Sequence, residues 1–78
     1  MKQTTEKNLK KLLKDLNLNP YGLATEIGKN RSIMTLYLQG KRKPNVDTCK
    51  KIIIAARKKG VDIDLFYLRP DMAMDFND

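Results

Sequence analysis

The chain has 78 residues, and its sixteen basic and nine acidic side chains give a formal net charge of +7. A chain of this length buries only about 60% of its unfolded surface, so residues 1–78 are predicted to form one small domain stabilised by helix packing or self-association. Because it has one cysteine and no histidine, an internal disulfide and a Cys/His zinc site are excluded, and we expect no metal and no cofactor.

The first predicted element is an amphipathic helix near the N-terminus. Leucines at positions 9, 12, 13 and 16 share one helical face, and lysines occupy the other. Thr4 or Thr5 can cap its first N–H groups. Pro20 marks the boundary with the next helix, because proline disfavours helical geometry in the residue before it and suits a first helical turn.

Glycines and asparagines divide the middle of the chain into three more predicted helices. The second covers residues 20–27 and stops at Gly28, which can adopt the left-handed cap conformation. The third covers residues 31–39, with Asn30 as its cap and Gly40 as its stop. The fourth has Asn45 as its cap and Gly60 as its stop, and its predicted inward positions are Val46, Cys49, Ile52, Ile53 and Ala56.

The C-terminal part is predicted to contain a short fifth turn or helix within residues 62–68, followed by a short acidic tail at residues 70–78. Asp62 and Asp64 can in principle bind a cation, but capping or decorating the short helix is the simpler role. No segment alternates convincingly with the period of a strand. The predicted fold is therefore all-α, a compact bundle of about five short helices.

The charge is distributed unevenly along the chain. Residues 1–60 carry fifteen basic and four acidic groups, and residues 61–78 carry one basic and five acidic groups. A basic body with an acidic end fits a surface for a polyanion, since each cation near a phosphate releases a condensed counterion. The alternative is that the lysines only solubilise the protein.

Residues 20–44 satisfy the requirements of a helix-turn-helix. Ala24 is small enough to let two helices cross closely, and Gly28 can make the turn. The apolar residues expected to lock the second helix to the third are Leu23, Ile27, Met34, Tyr37 and Leu38. Their spacing leaves the other face of the third helix free.

This segment contains the pattern Leu23-Ala24-x-x-x-Gly28, followed by Met34-Thr35-x-Tyr37-Leu38-x-Gly40-x-Arg42-x-Pro44. The pattern resembles that of the phage Cro and repressor (lambda-repressor-like) family of helix-turn-helix proteins. The ending Leu68-Arg69-Pro70-Asp71 is similar to the close of Cro-like, YdaS-type regulators. The resemblance covers about residues 8–71. Lys29 departs from the family pattern, which usually has an apolar residue after the turn glycine.

This resemblance implies that residues 31–39 form a recognition helix in the major groove of DNA. The residues expected to face base edges are Arg31, Ser32, Thr35 and Leu36. The residues expected to hold phosphates are Asn19, Lys29, Gln39, Lys41, Arg42 and Lys43. The residue types suit these roles, because Arg binds guanine bidentately and Leu can contact a thymine methyl.

Other roles remain open for some of these residues. Arg31 can pair with Glu26 on the neighbouring helix instead of contacting a base. The basic run at residues 41–43 can be a solvated loop. Cys49 is most simply a small buried core residue.

Large apolar side chains are concentrated near the C-terminus: Leu65, Phe66, Tyr67, Leu68, Met72, Met74 and Phe76. Leu65 and Leu68 are expected to close the core over the first helix. Helix-turn-helix proteins commonly bind DNA as pairs, so residues 61–76 are a candidate homodimer contact and a possible contact for another protein.

The sequence shows no catalytic constellation, and we expect no enzyme activity. It also has no segment of about 20 apolar residues and no signal peptide, so we expect a cytoplasmic protein. The favoured function is a Cro-like phage or prophage repressor that binds a palindromic DNA operator as a homodimer. The alternatives are an antitoxin that binds a toxin through its acidic C-terminal segment and regulates its own promoter, or a non-specific nucleic-acid-binding protein.

Overall fold

A twelve-residue amphipathic helix begins the part of the chain that the computed structural model describes, residues 4–75. This helix, α1, spans Thr5–Leu16. The Thr4 side chain caps it by accepting a hydrogen bond from the Lys7 N–H at 3.3 Å, as the sequence predicts. Asn17 has a left-handed backbone (φ 55°) and ends the helix.

Two short helices follow, each capped by an asparagine. Helix α2 spans Pro20–Glu26, and Asn19 Oδ1 accepts from the Gly22 N–H at 2.7 Å. Helix α3 spans Arg31–Leu38, and Asn30 Oδ1 accepts from the Ile33 N–H at 2.9 Å. Between them Gly28 has φ +73°, a conformation that disfavours residues with a β-carbon. Both helices are one residue shorter than predicted, because Ile27 and Gln39 act as their C-caps.

Helix α4 spans Val46–Lys58, with Asn45 as its N-cap. The prediction that Val46 points inward is wrong, since the residue is 36% exposed. The buried face of α4 is centred on Ile52 and includes Thr48 and Ala55. Val46 precedes Ile52 by six residues and therefore lies about 120° around the helix from it.

The C-terminal part contains two helices where one was predicted. Helix α5 spans Leu65–Leu68 and helix α6 spans Pro70–Asp75, so the described residues form six helices and the predicted tail begins as a helix. Pro70 at the first helical position and Asp71 in the first turn both favour helix formation. Asp64 caps α5 by accepting from the Tyr67 N–H at 2.9 Å, consistent with the capping role predicted for this residue pair.

The core lies between the first five helices, each of which contributes buried apolar side chains. It contains the four leucines of the predicted α1 face, and Leu68 closes it as predicted, with Leu65 half-buried against it. Cys49 is fully buried, also as predicted. The buried Asn8 side chain donates to the Tyr67 carbonyl at 2.7 Å and ties α1 to α5.

The all-α prediction is confirmed for residues 4–75, where no strand occurs. None of the helices in this range is long and apolar enough to cross a lipid bilayer. The predicted dimer segment is described only in part, because the side chain of Met74 and all of Phe76 lie outside the described residues.

Candidate nucleic-acid interface

The outer face of α3 carries the side chains that were predicted to read bases. Arg31, Ser32 and Thr35 are exposed. Thr35 Oγ1 donates to the Arg31 carbonyl at 3.0 Å, so its hydroxyl proton is engaged and its oxygen and methyl group remain for a ligand. Leu36, predicted to point outward, is half-buried and offers only part of its side chain.

The opposite face of α3 is held firmly against α2. The residues of this contact are buried, apart from Leu38, which is half-buried: Leu23, Ala24, Ile27, Met34 and Tyr37. Ala24 is 1% exposed and belongs to the core cluster. The packing presents the polar face of α3 on a rigid support.

Arg31 is not paired with Glu26. The two ion pairs of the described residues are Lys43–Asp71 and Arg69–Asp71, and both residues in question are exposed. The guanidinium of Arg31 is therefore available to a ligand at the start of α3.

A basic loop, residues 41–43, follows α3. Lys41, Arg42 and Lys43 are all exposed. The loop turns back at Gly40, where φ is +74°, and the Leu36 carbonyl accepts from the N–H groups of Lys41 and Arg42 at 3.0 and 3.4 Å. These backbone bonds place three cations next to the C-terminal end of α3, beside the exposed cap residue Gln39.

The C-terminal segment reaches back to this loop. Arg69 donates to both carboxylate oxygens of Asp71 at 3.0 and 2.8 Å, and its Nη1 donates to the Pro44 carbonyl at 2.8 Å. Asp71 also pairs with Lys43, with 3.6 Å between Nζ and Oδ2. The hydrogen bonds from Arg69, together with the charges of Arg69 and Lys43, lower the pKa of Asp71 from 3.8 to about 2. We refer to Arg69 and Asp71 as the C-terminal clasp.

A second carboxylate lies against the other end of the loop. Glu6, in the first turn of α1, is so close to Gly40 that a β-carbon there would collide with Glu6 Oε2. A hydrogen bond with the Thr4 side chain lowers the pKa of Glu6, and the charges of Lys43 and Lys10 lower it further. The loop therefore meets carboxylates from both ends of the described chain.

The remaining predicted phosphate contacts lie away from the loop. Asn19 is exposed, and because its Oδ1 accepts from the Gly22 N–H, its amide N–H groups remain for another acceptor. Lys29 is half-buried in the turn, where its N–H bonds to the Ala24 carbonyl at 2.9 Å. The structure thus separates the predicted phosphate contacts into the loop, the α2–α3 turn and the start of α2.

Sequence reasoning missed the contacts at the two ends of the loop. Glu6 lies against Gly40, Arg69 bonds to Pro44, and Asp71 pairs with Lys43. Arg69 and Pro44 are 25 positions apart, and no local periodicity connects residues at that separation. The one sequence signal was the opposite charge of the two regions.

Comparison of the chain with models of known protein families, with curated proteins and with solved structures gave no significant match.

Proposed function

We propose that the chain is a sequence-specific DNA-binding transcriptional regulator, a Cro-like repressor whose α2, turn and α3 act as a helix-turn-helix. In this proposal α3 enters the major groove, and Arg31 with Ser32 and Thr35 contacts base edges. Two copies bind a palindromic operator, one on each half-site.

The observation that carries this proposal is the division of α3 into two faces. One face is locked into the core by Met34 and Tyr37. The other presents Arg31, Ser32 and Thr35 to solvent, residue types that hydrogen-bond to base edges.

The basic loop supports the proposal as an anchor. Phosphate contacts fix the register of a protein on DNA without reading sequence. In the proposed complex Lys41, Arg42 and Lys43 hold the backbone beside the C-terminal end of α3, while Asn19 and Lys29 are placed for other phosphates.

The test is selection of bound duplexes from a random pool, followed by measurement of affinity at physiological salt. A specific regulator recovers a motif and prefers it to random duplex by about 10³-fold or more. Recovery of two inverted copies of the motif would also give the half-site spacing.

Equal affinity for every duplex would overturn the proposal and favour a non-specific polyanion binder. A protein that binds no duplex at low salt would exclude both. Circular dichroism at each salt concentration confirms that the helices persist during these measurements.

A further inference from the structure

A groove between the C-terminal half of α1 and the start of α2 has the features of a second phosphate-binding surface. It is open, has a volume of about 420 Å³, and is lined by Lys10, Leu13, Lys14, Asn17, Leu18, Asn19 and Pro20. Two lysines and two asparagines supply its polar groups. No carboxylate lines it in the part of the chain that the structure describes.

Two other grooves that are lined by lysines differ in this respect. Lys11, on the same helix, shares its groove with Asp15, Asp62 and Asp64. Lys51 and Lys58 on α4 share a groove with Glu26. The first of these grooves has more carboxylates than lysines and the second has one carboxylate for its two lysines, whereas no carboxylate lines the groove of Lys10 and Lys14.

The groove continues the candidate nucleic-acid interface. Asn19 belongs to it, with amide N–H groups left over from capping α2. Glu6 lies against Gly40 at the end of the loop and one helical turn before Lys10 in α1. Lys10 and Lys14 therefore extend the positive charge along α1 towards the start of α2, with the Glu6 carboxylate between them and the loop.

We propose that Lys10 and Lys14, with Asn19, bind phosphates of the DNA backbone that lie beyond those held by the basic loop. This inference rests on the proposed function. From Glu6 to Lys14 the helix rises about 12 Å, and each strand places a phosphate about every 3.4 Å along the duplex axis. The loop and the groove are therefore far enough apart to hold different phosphates.

The test compares two double variants with the same change of charge. Lys10→Gln with Lys14→Gln removes the groove cations, and Lys11→Gln with Lys51→Gln removes two cations that face carboxylates. All four lysines are exposed and helical, and Gln is a similarly good helix former, so both variants should fold. Binding of a labelled random-sequence duplex is measured by fluorescence anisotropy across a salt series.

The groove variant is expected to reduce the slope of log affinity against log salt by about 1.8, since each phosphate contact contributes about 0.9. The control variant is expected to keep the wild-type slope. Equal changes in the two variants would overturn the proposal, because they would report only the loss of net charge.

Failure of this inference can be distinguished from failure of the proposed function by Arg42→Gln. A reduced slope in Arg42→Gln with a wild-type slope in the groove variant rejects the groove alone. Absence of duplex binding by the wild-type protein rejects both.

Discussion

In the proposed complex Arg31 is the main residue that recognises the DNA sequence. It is exposed in the first turn of α3 and has no ion pair with Glu26. We expect Arg31→Ala to weaken binding to the selected operator by about 1–3 kcal/mol and to relax the preference at one base pair, because a bidentate contact to guanine would be lost. Competition binding with operators mutated at single positions measures both effects.

Arg57→Ala is the matched control for this prediction. Arg57 is also exposed and helical, but it lies in the last turn of α4. Its removal should change operator and random DNA affinity by the same small factor. If Arg31→Ala behaved like Arg57→Ala, the assignment of the reading face to α3 would be wrong.

Cys49 tests how tightly the core is closed. Its side chain is fully buried, and burial raises the pKa of the thiol to about 11, so the reactive thiolate is scarce at neutral pH. We expect a thiol-specific reagent at pH 8 to modify the native protein about 10²- to 10⁴-fold more slowly than the urea-unfolded chain, since a core of this size rarely stabilises a domain by more than about 3–5 kcal/mol. A comparable rate in both states would show that the core around α4 opens freely.

At the scale of elements, Asp71 of the C-terminal clasp and the DNA phosphates of the proposed complex compete for Lys43 of the basic loop. Asp71 pairs with Lys43, which the proposed complex uses for a phosphate. We expect Asp71→Asn to strengthen DNA binding by up to about fivefold, because the exposed Lys43–Asp71 ion pair, worth about 0–1 kcal/mol, no longer has to be broken when Lys43 binds its phosphate. Asp62→Asn is the control, because it makes the same change of charge in a groove with Lys11. Identical effects of the two variants would show that only net charge matters.

The clasp also predicts a pH dependence of stability. The pKa of Asp71 is about 2 in the folded protein against an ordinary 3.8, so its carboxylate stabilises the fold fully above about pH 4, and this stabilisation is lost as the pH falls through 2. The side chain is 37% exposed, so solvent screening keeps the effect small. The urea midpoint of the wild type should exceed that of Asp71→Asn at pH 6, and the difference should shrink towards pH 2. A difference independent of pH would assign the effect to packing rather than charge.

The helices could be predicted from the sequence because their signals are local. Asn30 and Asn45 each cap the helix that they precede, as the sequence predicts, and the structure adds Asn19 as the cap of α2. Local signals did not suffice for Val46, whose exposure depends on which face of α4 the other helices cover. For the same reason the candidate site was predicted as a set of outward residues and basic positions, without the carboxylates that the fold brings to the loop.

At the scale of the whole molecule, charge opposes association of free copies. Each chain carries +7, and DNA phosphates neutralise such charge. The chain extends 36 Å along its longest axis, and half-sites one helical turn apart are separated by about 34–36 Å. Two copies that lay with their longest axes along the duplex would therefore be close enough to touch. We expect a monomer in solution and a dimer on the operator, which sedimentation with and without DNA would measure.

Base pairs inserted between the half-sites distinguish a contact between the two protein copies from independent binding to two sites. Five added base pairs turn the second copy by about half a turn to the opposite face of the duplex, and ten move it about 34 Å further along the axis. Either insertion should abolish cooperative binding, while the affinity for an isolated half-site stays constant. Cooperativity that survives both insertions would locate the coupling in the DNA rather than in a protein contact. A complex that sediments with one copy per operator would exclude the dimer, and residues 61–76 would then have no role in pairing two copies on DNA.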